Sequence, residues 1–170
     1  LFTGTPCQIA GLYAFLGNKE YDKLYTVDLI CHGVPSPLLF KKYLAYQEDK
    51  LKEKIVSFDF RSKEKRGWAT QYLLKTQNKS KSRALKLDRY GKHFMDGDCY
   101  RESCYTCPYS DIKRVSDITV GDFWGIDKSH PEFSSALGVS SVLVNTKKGQ
   151  MLSDSISKYA DITKATVKEA

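Results

Sequence analysis

The stretch Leu24-Tyr25-Thr26-Val27-Asp28-Leu29-Ile30-Cys31-His32-Gly33-Val34-Pro35-Ser36-Pro37 decides how this chain is read. Leu24–Ile30 is an apolar run of strand length, and Gly33 and Pro35 stop it. Ser36 then stands as a helix N-cap with Pro37 at the first helical position, where a missing N–H is no loss. A helix to about Glu48 follows, so the stretch is a strand, a turn and a helix, the unit from which α/β folds are built. Towards the N-terminus, Leu1–Thr3 reads as the end of a buried strand and Gly4-Thr5-Pro6 as a turn. Cys7–Leu16 reads as a helix with Ile9, Leu12, Tyr13 and Leu16 on one side and Pro6 in its first turn.

Towards the C-terminus, Ile55–Phe60 alternates as a strand. Trp68–Thr76 reads as its hairpin partner, with the polar Gln77–Ser82 stretch as the tip. Leu87–Tyr109 is punctuated by Gly91, Gly97, three cysteines and Pro108, and reads as loop with a short helix near Lys92–Asp96. Asp117–Phe123 and Ser140–Asn145 read as strands. Lys147–Tyr159 closes the chain as an amphipathic helix with Met151, Leu152, Ile156 and Tyr159 on one side. The fold class expected is α/β: a single domain over residues 1–170 with a mixed β-sheet flanked by helices and a Cys-rich loop. The chain opens at Leu1 without a Met, inside a strand, and reads as a fragment whose N-terminal part is missing.

The 170 residues match one domain in length, and 41% hydrophobic content supplies a core. An aromatic content of 12% is too rich for a solvated tail. Lys and Arg number 27 against 20 Asp and Glu, a net +7 that favours anionic partners of any kind. No apolar run approaches the roughly 18 residues that cross a bilayer, so no membrane span is expected. No export signal is visible, and a cytoplasmic location is expected.

Five cysteines without an export signal point to metal binding or redox chemistry rather than disulfides. Cys104-x-x-Cys107 aims two thiolates from one tight turn, and Pro108 follows as in bacterial ferredoxin ligand runs. Cys7 lies at the start of a predicted helix, where backbone N–H groups favour a thiolate. Cys31 lies at the end of a predicted strand beside His32. Loops after parallel strands meet at one sheet edge, so Cys7 and Cys31 are expected to face one crevice. A lone cysteine at a strand end is nevertheless more often a small buried hydrophobe. Four thiolates suit zinc as well as an iron–sulfur cluster, and spacing does not separate the two. Cys99-x4-Cys104-x2-Cys107 also reproduces a plant-type ferredoxin spacing, but no fourth cysteine lies downstream.

Five ordered motifs carry a family pattern. They are Gly4-Thr5-Pro6-Cys7-Gln8, Asp28-Leu29-Ile30-Cys31-His32-Gly33-Val34-Pro35-Ser36, Phe60-Arg61 with Gly67-Trp68, Cys104-x-x-Cys107, and Ser116-Asp117-Ile118-Thr119-Val120-Gly121-Asp122-Phe123-Trp124-Gly125. Together they resemble the C-terminal domain of the coenzyme F420 hydrogenase/dehydrogenase beta-subunit family. The resemblance implies an oxidoreductase domain in which a 4Fe-4S cluster exchanges electrons with FAD, and the flavin exchanges a hydride with the deazaflavin coenzyme or another acceptor. It implies Cys7, Cys31, Cys104 and Cys107 as cluster ligands, leaving Cys99 over. Expected partners are a redox partner protein or a ferredoxin-like domain, and no nucleic acid.

A flavin joins one-electron and two-electron chemistry, which fits that role. Its pyrophosphate would use helix N-termini and basic groups. The candidate contacts are Gly4, Thr5, Gln8, Gly33, Arg61 and Lys63, although Arg61–Arg66 reads equally well as a solvated basic loop. Trp68 and Trp124 are expected in the core rather than on a ring. Asp117 and Asp122 bracket a strand, where carboxylates orient a loop or bind a ribose. The alternative reading is a zinc-stapled basic module that binds nucleic acid or another anionic partner. It rests on the net charge and on Lys50–Lys54, Lys63–Arg66 and Lys79–Lys86.

Overall fold

The computed structural model describes residues 1–17 and 19–169. In chain order its elements begin with β1 (Phe2–Gly4), α1 (Pro6–Phe15), β2 (Thr26–Leu29), α2 (Pro37–Leu51), β3 (Ile55–Asp59), β4 (Gln71–Thr76) and β5 (Ser80–Ala84). They continue with α3 (Arg89–Asp96), α4 (Glu102–Tyr105), β6 (Ile118–Asp122), α5 (Ile126–Ser129), β7 (Ser140–Val144) and α6 (Lys147–Ile156). The chain divides into two compact units, Leu1–Cys31 with Cys107–Ala170, and His32–Thr106.

The first unit holds the mixed sheet, in the order β1-β2-β6-β7. The strands β1, β2 and β6 run parallel, and β7 returns antiparallel to β6. Gly4 pairs with Asp28 and Leu29 with Val120. The segments that leave β1, β2 and β6 therefore emerge at one sheet edge, as parallel strands require. Ile9, Ile118, Phe123 and Ile126 are buried here, together with Thr26, Asp28, Ser116, Asp117 and Thr119. Asp117 supports that polar centre. Its Oδ2 accepts from the Thr26 N–H at 2.9 Å and the Thr26 hydroxyl at 3.0 Å, and its Oδ1 accepts from the Thr146 hydroxyl at 2.6 Å. Of the two roles that the sequence leaves open, Asp117 thus takes the structural one, while Asp122 is exposed.

Two apolar features differ from expectation in this unit. β1 is an edge strand with a neighbour on one side only, and Leu1 and Phe2 are exposed rather than buried. α6 approaches the sheet through Gly149, where an added Cβ would come within 2.1 Å of the Asp117 carbonyl. The small residue makes the closest contact, so Met151 and Ile156 face solvent. The helix ends before Tyr159, which is 90% exposed. Trp124 is likewise exposed, not core.

The second unit is built on the antiparallel sheet β3-β4-β5 with α2 and α3. Ser36 caps α2, its hydroxyl accepting from the Leu38 N–H at 3.2 Å, as the sequence predicts. The polar stretch read as a hairpin tip contains a strand. β5 pairs with β4 from Gln71↔Ala84 to Lys75↔Ser80, leaving only residues 77–79 for the turn. An edge strand needs one apolar face at most, so β5 carries Lys and Ser and has no apolar signature. The core is aromatic: Tyr43, Tyr72 and Tyr90 are buried, and Phe40, Phe58 and Phe60 pack with them at ring separations between 4.7 and 6.2 Å. Burial, and then the Asp88 carboxylate, push the Tyr43 phenol well above its ordinary range and raise that of Tyr72.

Candidate functional site

Cys7 sits in the first turn of α1, and its sulfur lies 3.2 Å from the Thr5 hydroxyl. Gln8 stands three residues after Thr5 and folds back on it. Its Oε1 accepts from the Thr5 N–H at 2.9 Å and the Thr5 hydroxyl at 3.1 Å. Cys31 follows the end of β2, one strand over in the parallel sheet. Because Gly4 is level with Asp28, each of these two cysteines stands three residues beyond a matched sheet position. Both are exposed free thiols, which sets aside the buried-hydrophobe reading of Cys31.

The chain around Cys104 and Cys107 is tied to the chain around Cys31 by two separate sets of contacts. Within the His32–Thr106 unit, Arg101 N–H donates to the Val34 carbonyl at 3.0 Å, and Pro35 bridges to Tyr100. The Tyr100 ring lies against Gly33, where a Cβ would fall 2.5 Å from it. That site has φ +122°, a backbone open to glycine alone, which gives Gly33 a packing role. The His32 ring meets Tyr100 edge-on at 5.6 Å, and the Tyr105 hydroxyl accepts from the Tyr100 N–H at 3.0 Å. The residues after Cys31 are therefore laced to those just before Cys104, and Tyr100 links these in turn to Tyr105 just after it.

Within the other unit the connecting group is Arg114. Its Nη2 donates to Asp28 Oδ2 at 3.1 Å and to the Leu29 carbonyl at 3.0 Å, at the end of β2. Its Nη1 donates to the carbonyls of Tyr109 at 3.3 Å and Asp111 at 3.2 Å, on the loop that follows Cys107. Its Nε reaches the Thr119 hydroxyl on β6 at 3.2 Å. The pair is desolvated, with side-chain exposure of 9% for Arg114 and 0% for Asp28. Removing either partner would strand a buried charge.

All five cysteines are free thiols. Thiolates are the donors that iron–sulfur clusters and structural zinc take, so the donor set fits either. Among the described residues, no group of three or more His, Cys, Asp or Glu side chains is arranged to hold a metal ion. The boundary between the two units falls inside the Cys104-x-x-Cys107 motif, with Cys104 in one and Cys107 in the other. Cys99 is half-buried, and burial followed by the Asp98 carboxylate pushes its thiol up, which favours the protonated form that metals bind poorly.

The candidate flavin contacts are divided in the same way, with Gly4, Thr5 and Gln8 in the first unit and Gly33, Arg61 and Lys63 in the second. Arg61 follows β3, its N–H donating to Asp59 Oδ1 at 3.0 Å, and both basic side chains are exposed. An open apolar cleft of about 450 Å³ lies between Phe2, Leu12, Leu16, Tyr21 and Leu24, and contains none of these residues. The sequence did not single out Tyr100 or Arg114, and gave Asp28 no role of its own. Arg114 bonds to a residue 86 positions away, and beside Lys113 it looks like any loop cation.

The sequence pattern that defines the family of the coenzyme F420 hydrogenase/dehydrogenase beta subunit, in its C-terminal part, matches residues 1–170. The chain belongs to that family. Among solved structures, this family member is similar to a chain of the F420-reducing [NiFe] hydrogenase complex from Methanosarcina barkeri. The two are 18% identical with a TM-score of 0.48, over 92% of this chain and 47% of the solved one. The family chain here thus spans about half the length of that solved chain. No curated protein matches it in sequence. No helix among the described residues is long and apolar enough to cross a membrane.

Proposed function

We propose that this chain is the redox domain of an F420 hydrogenase/dehydrogenase-type beta subunit. In this reading Cys7, Cys31, Cys104 and Cys107 hold a 4Fe-4S cluster that exchanges electrons with FAD. When bound, the cluster supplies single electrons and the flavin converts them to hydride chemistry with a deazaflavin or another acceptor. The observation that carries the reading is the double lacing. The chain after Cys31 is bonded to the approach to Cys104, and the chain before Cys31 is bonded through Arg114 to the loop after Cys107. The first tie lies within the His32–Thr106 unit and the second within the other unit, and in this reading the cysteines that they flank join Cys7 as ligands of one cluster.

Gly4, Thr5 and Gln8 would meet the flavin at the α1 turn, with Gly33, Arg61 and Lys63 as the remaining contacts. Gln8 and Gly33 also have local structural roles, so Arg61 and Lys63 are the contacts whose replacement by Ala best tests flavin affinity. The electron partner is a redox protein or a ferredoxin-like domain. The free thiols suit a reducing compartment such as the cytoplasm.

Anaerobic reconstitution with iron and sulfide tests the reading directly. We expect a brown protein with broad visible absorption and matched iron and acid-labile sulfide, both lost in Cys104→Ala. A colourless protein that retains one zinc per chain would overturn it and favour the zinc-stapled module.

A further inference from the structure

We infer that Arg114 is a positioning residue that sets the spacing between Cys31 and Cys107, an inference that rests on the cluster reading above. The guanidinium bonds the Leu29 carbonyl, two residues before Cys31, and the Tyr109 carbonyl, two residues after Cys107. Two residues of chain reach at most about 7 Å, so each cysteine is leashed closely to the same planar group. Three features make Arg114 a spacer rather than a general staple. All three of its guanidinium nitrogens are engaged, with Asp28, Thr119 and three backbone carbonyls as acceptors. It is nearly excluded from solvent. The fork also has a fixed shape, so it holds the strand end and the loop at a set distance that a flexible ammonium cannot reproduce. Asp28 completes the device by anchoring the fork. Its Oδ2 accepts a hydrogen bond from Nη2–H, while its Oδ1, also buried, has no hydrogen-bond partner among the described residues. Asp28 is therefore committed to Arg114 alone.

The test uses the full chain with Cys7, Cys99 and Cys104 changed to Ser, so that Cys31 and Cys107 are the remaining thiols and no cluster is needed. The rate at which a short bifunctional maleimide joins them is compared between the Arg114 chain and Arg114→Lys, which keeps the charge that Asp28 requires but loses the fork. Circular dichroism and the thermal midpoint are recorded for both. The expected result is a folded Arg114→Lys chain that cross-links at least about tenfold more slowly. In the otherwise unmodified reconstituted protein, Arg114→Lys is expected to release iron to a chelator faster than Cys99→Ser does. Thr119→Val removes the acceptor that Arg114 Nε shares with the Asn145 amide and leaves every Nη bond in place, and it is expected to leave the cross-linking rate unchanged. An unaltered rate in Arg114→Lys overturns the inference. So does loss of its native circular dichroism, since Arg114 would then hold the fold rather than the spacing. If no variant takes up iron while the cross-linking rates still diverge, the cluster reading falls and the spacing role of Arg114 stands.

Discussion

The two compact units of this chain both bury apolar and polar side chains, and they differ in what stands at the centre. In the unit containing β1, β2, β6 and β7, the parallel centre is threaded by Thr26, Asp28, Ser116, Asp117 and Thr119, all buried and polar. In the unit from His32 to Thr106, buried tyrosines and packed phenylalanines fill the centre. Charge divides along the same line. The second unit holds 17 basic against nine acidic residues, a net +8, and the first holds ten against eleven, a net −1. The chain's overall +7 is therefore a property of one unit alone. Apolar burial tolerates a strongly charged surface because the stabilising term is non-directional. A buried polar network depends instead on every donor and acceptor being matched. The contrast also divides the cysteines: the unit with the buried polar network carries Cys7, Cys31 and Cys107, and the unit with the basic excess carries Cys99 and Cys104.

The largest effect that sharpens this contrast is expected from alkali. Tyr43, Tyr72 and Tyr90 all have phenols raised above the ordinary value of about 10, with burial as the first cause. A raised folded value means that the unfolded chain ionises first. Stability from these residues is complete below about pH 10 and lost as the pH rises past it. Monitoring tyrosinate absorbance and circular dichroism together should show the phenols ionising in step with loss of structure. Ionisation of all tyrosines before any loss of structure would break the comparison. Next in size, Tyr72→Ala removes a fully buried ring that stacks on Phe58 at 5.1 Å, and should cost about 3–5 kcal/mol in urea unfolding. Smaller still, Asp117→Ala leaves the buried Thr26 N–H without its carboxylate acceptor, at about 1–3 kcal/mol. Asp117→Asn, which keeps an acceptor oxygen, should recover part of that loss. A Tyr72→Ala cost below the Asp117→Ala cost would reverse the ranking of apolar and polar cores.

Much of the architecture was legible because its signals are local. Ser36 and Pro37 announced α2, Pro6 announced α1, and the alternation through Ile55–Asp59 announced β3. Where the reading failed, the deciding neighbour was distant. β5 is polar because it lies at a sheet edge, and Met151 and Ile156 face water because Gly149 is the residue that touches Asp117. The cysteines were visible as candidate ligands from the Cys104-x-x-Cys107 spacing and the family motifs. The groups that lace them, Tyr100 against Gly33 and Arg114 on Asp28, were not singled out.

By itself, the order of residues determined which segments become strands and helices, which thiols are available, and how much net charge the chain carries. These follow from backbone preference, hydrophobic period and composition, which act over a few residues or simply add. Only the tertiary structure decided that the charge belongs to one unit, that Asp28 is a buried partner rather than a surface carboxylate, and that a loop arginine bonds to the end of β2. Desolvation and hydrogen-bond geometry depend on which distant groups are brought within about 3 Å, and no local pattern encodes that.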